Sequence, residues 1–259
     1  MLVLPVFLKE RVSAIIALGH RTPHAHSQDD VLQAQGLANQ VGVALSNASL
    51  IEELAKLNWG TLTTLARAID AKSAWTAGHS ERVTELALRI GRTLGLRQKD
   101  LDVLHRGGLL HDIGKIGIPP EILDKPGRLG AEEVHAMRRH VLIGARILEP
   151  ITAYAEVIPI VLQHHEWFDG NGYPNGLAGE TISLGARIFA VADTYDALTS
   201  DRPYRRGLDR KRAIGIIEEG AGRQFDPKVV QAFLTLMDQE ERMATDQAEK
   251  APSTAPSAS

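Results

Sequence analysis

Apolar residues follow two different periods along this chain. Two short apolar runs, Leu2 to Leu8 and Val12 to Leu18, are separated by the charged segment Lys9-Glu10-Arg11. Short apolar runs broken by charged residues are typical of the two strands of a β-hairpin. From Leu62 to about Met237 the apolar residues recur instead at intervals of three and four, which is the helical period. We therefore predict a mainly α-helical protein with a small N-terminal β-hairpin.

A long helix is predicted after the hairpin. Ser27 and Asp30 have the spacing of a capping-box variant, which indicates where the helix begins, and the helical pattern continues to about Leu57. The apolar residues in this segment alternate between spacings of four and three, as in the seam of a coiled coil. The seam residues are Leu37, Val41, Ala44, Ala48, Ile51 and Ala55. Two interpretations stay open: the helix pairs with its copy in a homodimer, or the same stripe covers the hairpin of its own chain.

Changes in composition divide the chain into three predicted parts. The hairpin and the long helix occupy residues 1–57, and the pattern over residues 58–238 predicts a separate helical domain. Gly- and Pro-rich segments at Gly114 to Pro120 and at Asp169 to Gly179 predict loops within that domain. Residues 239–259 end in Ala-Pro-Ser-Thr-Ala-Pro-Ser-Ala-Ser, a composition typical of a disordered tail.

The charge balance and the absence of cysteine exclude several kinds of function. With 29 Lys plus Arg against 32 Asp plus Glu, the chain lacks the basic excess of proteins that bind nucleic-acid polymers. Because there is no cysteine, any metal must be held by His, Asp and Glu. No apolar stretch has the length of a membrane span, and Met1 to Leu8 lacks the basic leader of a signal peptide. We expect a cytoplasmic protein.

Histidines and acids lie close together in the helical part of the sequence. His111 and Asp112 follow an apolar turn, and Asp193 follows five apolar residues, so these acids are expected to need a partner of opposite charge. A single helical histidine is more often an ordinary surface residue. The whole set nevertheless favours a metal site of imidazole and carboxylate ligands, which suits Fe, Mn or Zn better than Ca. A bridging carboxylate would allow two metal ions, an arrangement that activates water in phosphoester hydrolysis.

These motifs resemble those of a known enzyme family. His111-Asp112 matches the dyad of the HD superfamily of metal phosphohydrolases, and the segment from His164 to Pro174, His-His-Glu-Trp-Phe-Asp-Gly-Asn-Gly-Tyr-Pro, resembles the signature of its HD-GYP branch. The resemblance covers about residues 62–237 with the motifs in the right order. In the N-terminal part, the pattern of hairpin and helix that ends in Leu37 to Leu45 resembles the last two strands and the final helix of a GAF sensory domain, of which only about the last third would be present.

The HD-GYP resemblance implies a helical bundle that hydrolyses cyclic di-GMP to pGpG, with GMP as a further product left open. It implies two divalent metal ions, Fe or Mn, with His79, His111, Asp112 and Asp193 at one and Asp112, His140, His164 and His165 at the other. Asp112 would be the bridge, and Lys115 would neutralise the phosphate that water attacks. The substrate-binding residues implied are Lys115, Gly172, Tyr173, Pro174, Asp196, Arg202 and Arg205.

The sequence departs from the family pattern at two positions. Trp75 stands where some members place a Glu that binds a third metal, so two metals are expected here. Trp167 replaces the usual Arg after His-His-Glu, which removes one positive charge near the site. Alternative functions are hydrolysis of another cyclic dinucleotide or nucleotide, and binding of cyclic di-GMP without turnover by a signalling module.

Overall fold

The structure is a computed structural model of the 259-residue chain. It describes residues 1–8, 11–19, 21–22, 26–73, 77–201 and 206–250, without the side chains of residues 244 and 246–250. The described residues divide into two compact units, which cover residues 1–61 and 62–250.

The first unit contains the predicted hairpin and most of a long helix. Strands β1 (Leu2–Leu8) and β2 (Arg11–Leu18) pair antiparallel, from Leu2 opposite Leu18 to Leu8 opposite Arg11. Helix α1 (Gln28–Asp70) begins where predicted, and at its start Asp30 accepts hydrogen bonds from the backbone and hydroxyl groups of Ser27. The helix does not end near Leu57 but continues to Asp70. The sequence between these two residues contains no Pro, and the helix accommodates its one Gly, Gly60.

The hairpin is covered by a face of α1 that is different from the predicted seam. Leu4 and Val6 of β1 are buried against Ala34 and Ala38 of α1. The small side chains of these alanines allow the strand to approach the helix closely. The seam residues lie on another side of α1 and are exposed, as Leu37 at 62 % and Ile51 at 68 % illustrate. The interpretation that the seam covers the hairpin was therefore wrong.

The second unit is a bundle of helices, which confirms the predicted helical domain. Its helices after α1 are α2 (His79–Thr93), α3 (Gln98–Leu110), α4 (Pro120–Leu123), α5 (Ala131–Arg138), α6 (His140–Leu148), α7 (Ile158–Gln163), α8 (Leu184–Thr199), α9 (Arg210–Glu219) and α10 (Pro227–Lys250). The core is formed by α2, α3, α8 and α10 with side chains from α7 and α9. Its largest fully buried residues include Ile90, Leu104, Phe189, Ile217 and Phe233.

Three details differ from the sequence-based predictions. The sequence predicts a helix from Glu132 that ends at His140, whereas α5 ends at Arg138 and His140 is the first residue of α6. The segment expected as a loop from Gly114 is partly a 3-10 helix, Ile113–Gly117. Helix α10 extends to Lys250 through residues predicted as tail, because this stretch is rich in helix-forming Glu, Gln and Ala and because Arg210 pairs with Glu240.

Within the described part of the chain, no helix is both long enough and apolar enough to cross a membrane.

Candidate metal centre

The seven predicted ligand residues come together from helix ends and one helix interior. His79 begins α2, His111 and Asp112 follow the end of α3, and His140 begins α6. His164 and His165 follow the end of α7, and Asp193 lies within α8. Helix ends leave the backbone free to change direction, so side chains from five segments can meet at one place.

The side chains form two groups that could each hold a metal ion. His79, His111 and Asp193 offer one nitrogen or oxygen atom each, and these atoms lie within 4.8 Å of one another. His140, His164 and His165 form a second group by the same criterion. These groups correspond to the two ligand sets implied by the family resemblance, apart from Asp112.

Asp112 lies between the two groups and presents one oxygen to each. Its Oδ2 is 3.3 Å from His111 Nε2 and 3.9 Å from His79 Nε2. Its Oδ1 is 3.5 Å from His140 Nε2 in the other group. A carboxylate in this position can bridge two cations.

A close backbone contact allows Asp112 to lie near His140. Gly114, two residues after Asp112, lies so close to α6 that a Cβ atom there would be 1.8 Å from the carbonyl oxygen of His140. Only glycine fits, and the Asp112 turn can therefore pack directly against the first residue of α6.

Most of the imidazoles are held by their second ring nitrogen. The Nδ1 atoms of His111, His140 and His164 lie 2.6, 2.8 and 2.9 Å from the carbonyl oxygens of Gly108, Met137 and Val161, respectively. In each case the carbonyl belongs to the residue three positions earlier. An Nδ1–H that donates to a carbonyl leaves the lone pair on Nε2, which is how metal-binding histidines are commonly oriented.

His79 is oriented by a carboxylate instead. Its Nδ1 is 2.7 Å from Asp196 Oδ2, and the same carboxylate accepts hydrogen bonds from Arg82 Nε at 2.6 Å and Nη2 at 3.0 Å. We predicted Asp196 as a substrate-binding residue, and that role stays a prediction; in this structure its carboxylate binds His79 and Arg82. The sequence analysis did not single out Arg82, although its position three residues after His79 places both side chains on one face of α2.

Burial favours neutral imidazoles in the group formed by His140, His164 and His165. Burial lowers the pKa of His140, and burial together with the neighbouring imidazoles lowers that of His164 well below its usual range. Burial lowers the pKa of His165 to about 3. Neutral imidazole is the form that binds metal.

Contacts with oppositely charged groups shift the pKa values of Asp112 and His79 against the effect of burial. Burial alone would raise the pKa of Asp112, but the positive charge of Lys115 and the contact with His111 hold it well below its usual range. Burial would likewise lower the pKa of His79, but hydrogen bonds to Asp193 and Asp196 raise it to about 10. Asp112 is therefore ionised, which is the form of a carboxylate that can bind a cation.

The donor set fits divalent metal ions. His111 Nε2 is fully buried, points at the centre and makes no hydrogen bond, and a buried ring nitrogen of this kind is costly unless a cation binds it. Imidazole nitrogens with carboxylate oxygens suit Fe, Mn or Zn.

A cavity of about 410 Å³ opens onto the centre. Its wall includes candidate ligands and also the cationic side chains of Arg82, Lys115 and Lys125. Lys115 Nζ lies 2.5 Å from Asp112 Oδ2, so its ammonium stands at the boundary between the cavity and the candidate bridging carboxylate.

Tyr173 also borders the cavity. Its ring stacks on His165 with 4.9 Å between the ring centroids. The guanidinium of Arg138, at the end of α5, lies 4.7 Å from the centroid of the Tyr173 ring. This geometry is a cation–π contact between Arg138 and Tyr173.

Gly172 and Pro174 are not among the residues that line the cavity. Gly172 packs on the backbone, because a Cβ atom there would lie 2.2 Å from the Trp167 nitrogen. Glu166, fully buried, accepts hydrogen bonds from the backbone of Asn175 and Leu177 and so fixes the loop that carries Tyr173. Gly172 thus has a packing role in this structure, and its substrate contact stays a prediction.

Three of the positions discussed from the sequence lie outside the described residues. They are Trp75, Arg202 and Arg205.

The HD domain family model matches residues 63–229 of this chain. The chain belongs to the HD domain family. It is 42 % identical over 176 residues to the cyclic di-GMP phosphodiesterase response regulator RpfG of Xanthomonas campestris, covering 67 % of this chain and 47 % of the relative. It is 41 % identical over 172 residues to the 3'3'-cGAMP-specific phosphodiesterase 3 of Vibrio cholerae, covering 66 % of this chain and 37 % of that relative.

The fold also matches solved structures. The crystal structure of a cyclic GMP-AMP-specific phosphodiesterase of V. cholerae aligns with a TM-score of 0.56 and 20 % sequence identity, covering 72 % of this chain and 50 % of that one. The chain spans less than half the length of the two curated relatives named above. The family and the helical fold predicted from the sequence are confirmed.

Proposed function

We propose that this chain is a metal-dependent phosphodiesterase that hydrolyses cyclic di-GMP to pGpG. The observation that carries the proposal is the position of Asp112, whose two oxygens face two separate groups of ligand side chains. Two cations joined by one carboxylate are suited to phosphoester hydrolysis. The similarity to cyclic di-GMP phosphodiesterases over most of this domain supports the same reaction.

The seven side chains have distinct roles in this proposal. His79, His111, Asp112 and Asp193 would hold one ion, and Asp112, His140, His164 and His165 the other. Iron or manganese is proposed, since both accept this mixture of imidazole and carboxylate ligands. When bound, the two ions supply an activated water and stabilise negative charge at the phosphate.

Lys115 is proposed to act on the phosphate. Its ammonium, paired with Asp112 in this structure, borders the cavity and can turn to a phosphate oxygen when cations neutralise Asp112. Lys125 and Arg82 add positive charge to the wall, as a dianionic substrate requires although the chain carries a formal net charge of −3.

The rest of the substrate pocket is assigned from the family resemblance and from the cavity. Tyr173 borders the cavity beside His165 and is proposed to contact a guanine base. Arg202 and Arg205 remain proposed substrate contacts. Asp196 also remains a proposed substrate contact, since it lines the cavity, and it orients His79.

A mixed cyclic dinucleotide is the main alternative substrate. Some relatives that are about 40 % identical over the same region are named as 3'3'-cGAMP-specific phosphodiesterases. A second alternative is a signalling module that binds cyclic di-GMP without turnover. Six of the seven candidate ligands form two compact groups and Asp112 lies between them, which favours an enzyme over that module.

We also propose that α1 pairs with its copy in a homodimer. The exposed seam from Leu37 to Ala55 keeps heptad spacing, and the hairpin of the same chain is covered by Ala34 and Ala38 on another face. In this proposal the hairpin and α1, with their resemblance to the end of a GAF domain, belong to the regulatory part of a signalling protein that acts in the cytoplasm.

Chromatographic detection of reaction products tests the proposed activity. Purified protein loaded with Mn²⁺ or Fe²⁺ is incubated with cyclic di-GMP and, separately, with 3'3'-cGAMP. We expect pGpG from the wild type and no product from Asp112→Asn, which keeps the side-chain size but loses the charge. Faster hydrolysis of 3'3'-cGAMP would favour the alternative substrate, and equal activity in Asp112→Asn would contradict the mechanism.

A further inference from the structure

Lys72 holds the turn that carries Lys115. Its ammonium donates hydrogen bonds to three backbone carbonyls, those of Lys115, Ile116 and Ile118, at 2.8, 2.7 and 2.7 Å, respectively. An ammonium has three N–H donors, so these carbonyls account for all of them. A lysine side chain that binds only backbone oxygens of one turn acts on the shape of that turn.

The three carbonyls lie at and just after the end of a short helix. Lys115 and Ile116 belong to the 3-10 helix Ile113–Gly117, and Ile118 follows its end. The Lys115 carbonyl also accepts the N–H of Ile118 at 3.1 Å, and a positive charge near the last carbonyls of a helix is favourable. Lys72 therefore acts as a side-chain cap from a distant part of the sequence.

Lys72 itself is held firmly by its backbone. It lies two residues beyond the end of α1, where its N–H donates to the carbonyl of Ile69 at 3.0 Å. The next residue, Ser73, donates its hydroxyl to Asp124 Oδ1 at 2.7 Å. The anchor of the cap is thus fixed on both sides.

We propose that Lys72 is a positioning residue for Lys115. The inference rests on the proposed function, because it is Lys115 that would meet the phosphate. Lys72 does not contact any of the seven candidate ligands through its ammonium, and it is separate from the cavity wall. Its removal should loosen the Lys115 turn while the ligand groups stay in place.

The test combines kinetics with hydrogen–deuterium exchange on the full chain. Lys72→Met removes the three donors and keeps the length of the side chain, and Lys72→Arg restores a cation with several donors. Lys228→Met is the matched control, since Lys228 is an exposed lysine on α10 that pairs with Glu180. If Lys72→Met does not fold, as judged by circular dichroism, Lys72→Gln replaces it.

We expect faster deuterium uptake in the peptide that spans residues 113–118 of Lys72→Met, with or without metal, and no change in α10. The value of kcat should fall on the order of tenfold with metal content unchanged, because a misplaced catalytic group loses its alignment. Lys72→Arg should recover most of this loss, and Lys228→Met should match the wild type. In a Lys115→Ala background, Lys72→Met should cause no further loss of kcat.

Two results would overturn the inference. Exchange at residues 113–118 identical to that of the wild type would mean that Lys72 does not hold the turn. A full additional loss of kcat in the Lys115→Ala background would mean that Lys72 acts by another route. If the wild type does not hydrolyse cyclic di-GMP, the proposed function fails, and exchange in the metal-free protein then decides whether Lys72 holds the turn.

Discussion

Asp112 is the residue at which the two ligand groups meet, and the surrounding side chains prepare it for a cation. The carboxylate is buried, yet contacts with Lys115 and His111 hold its pKa well below the usual range, so it is charged at neutral pH. The imidazoles around it are oriented through Nδ1, by backbone carbonyls at three positions and by Asp196 at His79. Such outer contacts fix the ligands before metal binds.

Asp196→Asn should weaken metal binding. The substitution removes the charge that orients His79 and that helps to hold Arg82, and loss of an outer-shell carboxylate typically weakens metal affinity 10- to 100-fold. Competition between the protein and a chromophoric chelator for Mn²⁺ measures this. The matched control is Asp100→Asn, an exposed acid on α3 that pairs with Arg97. A raised KM with unchanged metal affinity would instead support a substrate contact for Asp196.

Metal binding should release protons near neutral pH. In the metal-free centre the pKa of His79 is raised to about 10, so the proton stabilises the fold below the unfolded pKa of about 6.5, and this contribution is lost as pH rises through about 10. A metal ion must displace that proton. Affinity should therefore fall as pH is lowered from 8 to 6. Calorimetry in buffers of different ionisation enthalpy measures the release, and proton-independent binding would contradict the assignment of His79.

At the scale of elements, α1 presents its apolar residues on more than one face. Ala34 and Ala38 cover the hairpin, while Leu37, Val41 and Ile51 are exposed on the seam. The spacing alone predicted the seam, but it gave no means of deciding which face meets the hairpin. That choice depends on residue size, since the strand packs closely only against the small alanines.

Val41→Glu combined with Ile51→Glu should convert a dimer to a monomer. Charged residues at two seam positions would have to be buried against their copies, which is unfavourable. Multi-angle light scattering measures the change, and metal content should be unaffected. Leu50→Glu combined with Leu57→Glu is the matched control, because both residues are exposed apolar residues of α1 outside the seam. A monomeric wild type at high micromolar concentration would refute the dimer.

The break at His140 illustrates a second limit of the sequence pattern. The sequence predicts that the helix from Glu132 ends at His140, but α5 ends at Arg138 and His140 begins α6. The bend brings His140 to Asp112 and depends on the contact of Gly114 with the His140 backbone. A contact between segments that are distant along the chain cannot be deduced from local spacing.

At the scale of the whole molecule, the sequence was most informative about the helical fold and the candidate ligands. The seven candidate ligands, which lie between positions 79 and 193, could be assigned to one metal centre because their motifs resemble those of one family. The residues that support them, Arg82, Asp196 in its observed role and Lys72, were missed because each acts through a contact that only the fold creates.

Metal removal should lower the thermal stability of the protein. Binding that is specific to the folded state stabilises it by about 2.7 kcal/mol at a metal concentration 100 times Kd. For a domain of this size this corresponds to a rise in Tm of roughly 5–10 °C. Differential scanning calorimetry with Mn²⁺ and after dialysis against a chelator measures the difference. The shift should be much smaller in Asp112→Asn, and equal Tm values for the loaded and metal-free wild type would contradict a metal centre.

The most direct test of the central proposal is a titration of metal-free wild-type protein with Mn²⁺ or Fe²⁺, in which bound metal and hydrolysis of cyclic di-GMP are measured in the same samples. We predict that activity is absent without metal, rises as the centre fills and reaches its maximum at two bound ions per chain. Full activity of the metal-free protein, or a maximum at one bound ion, would contradict an enzyme built on two metal ions bridged by Asp112.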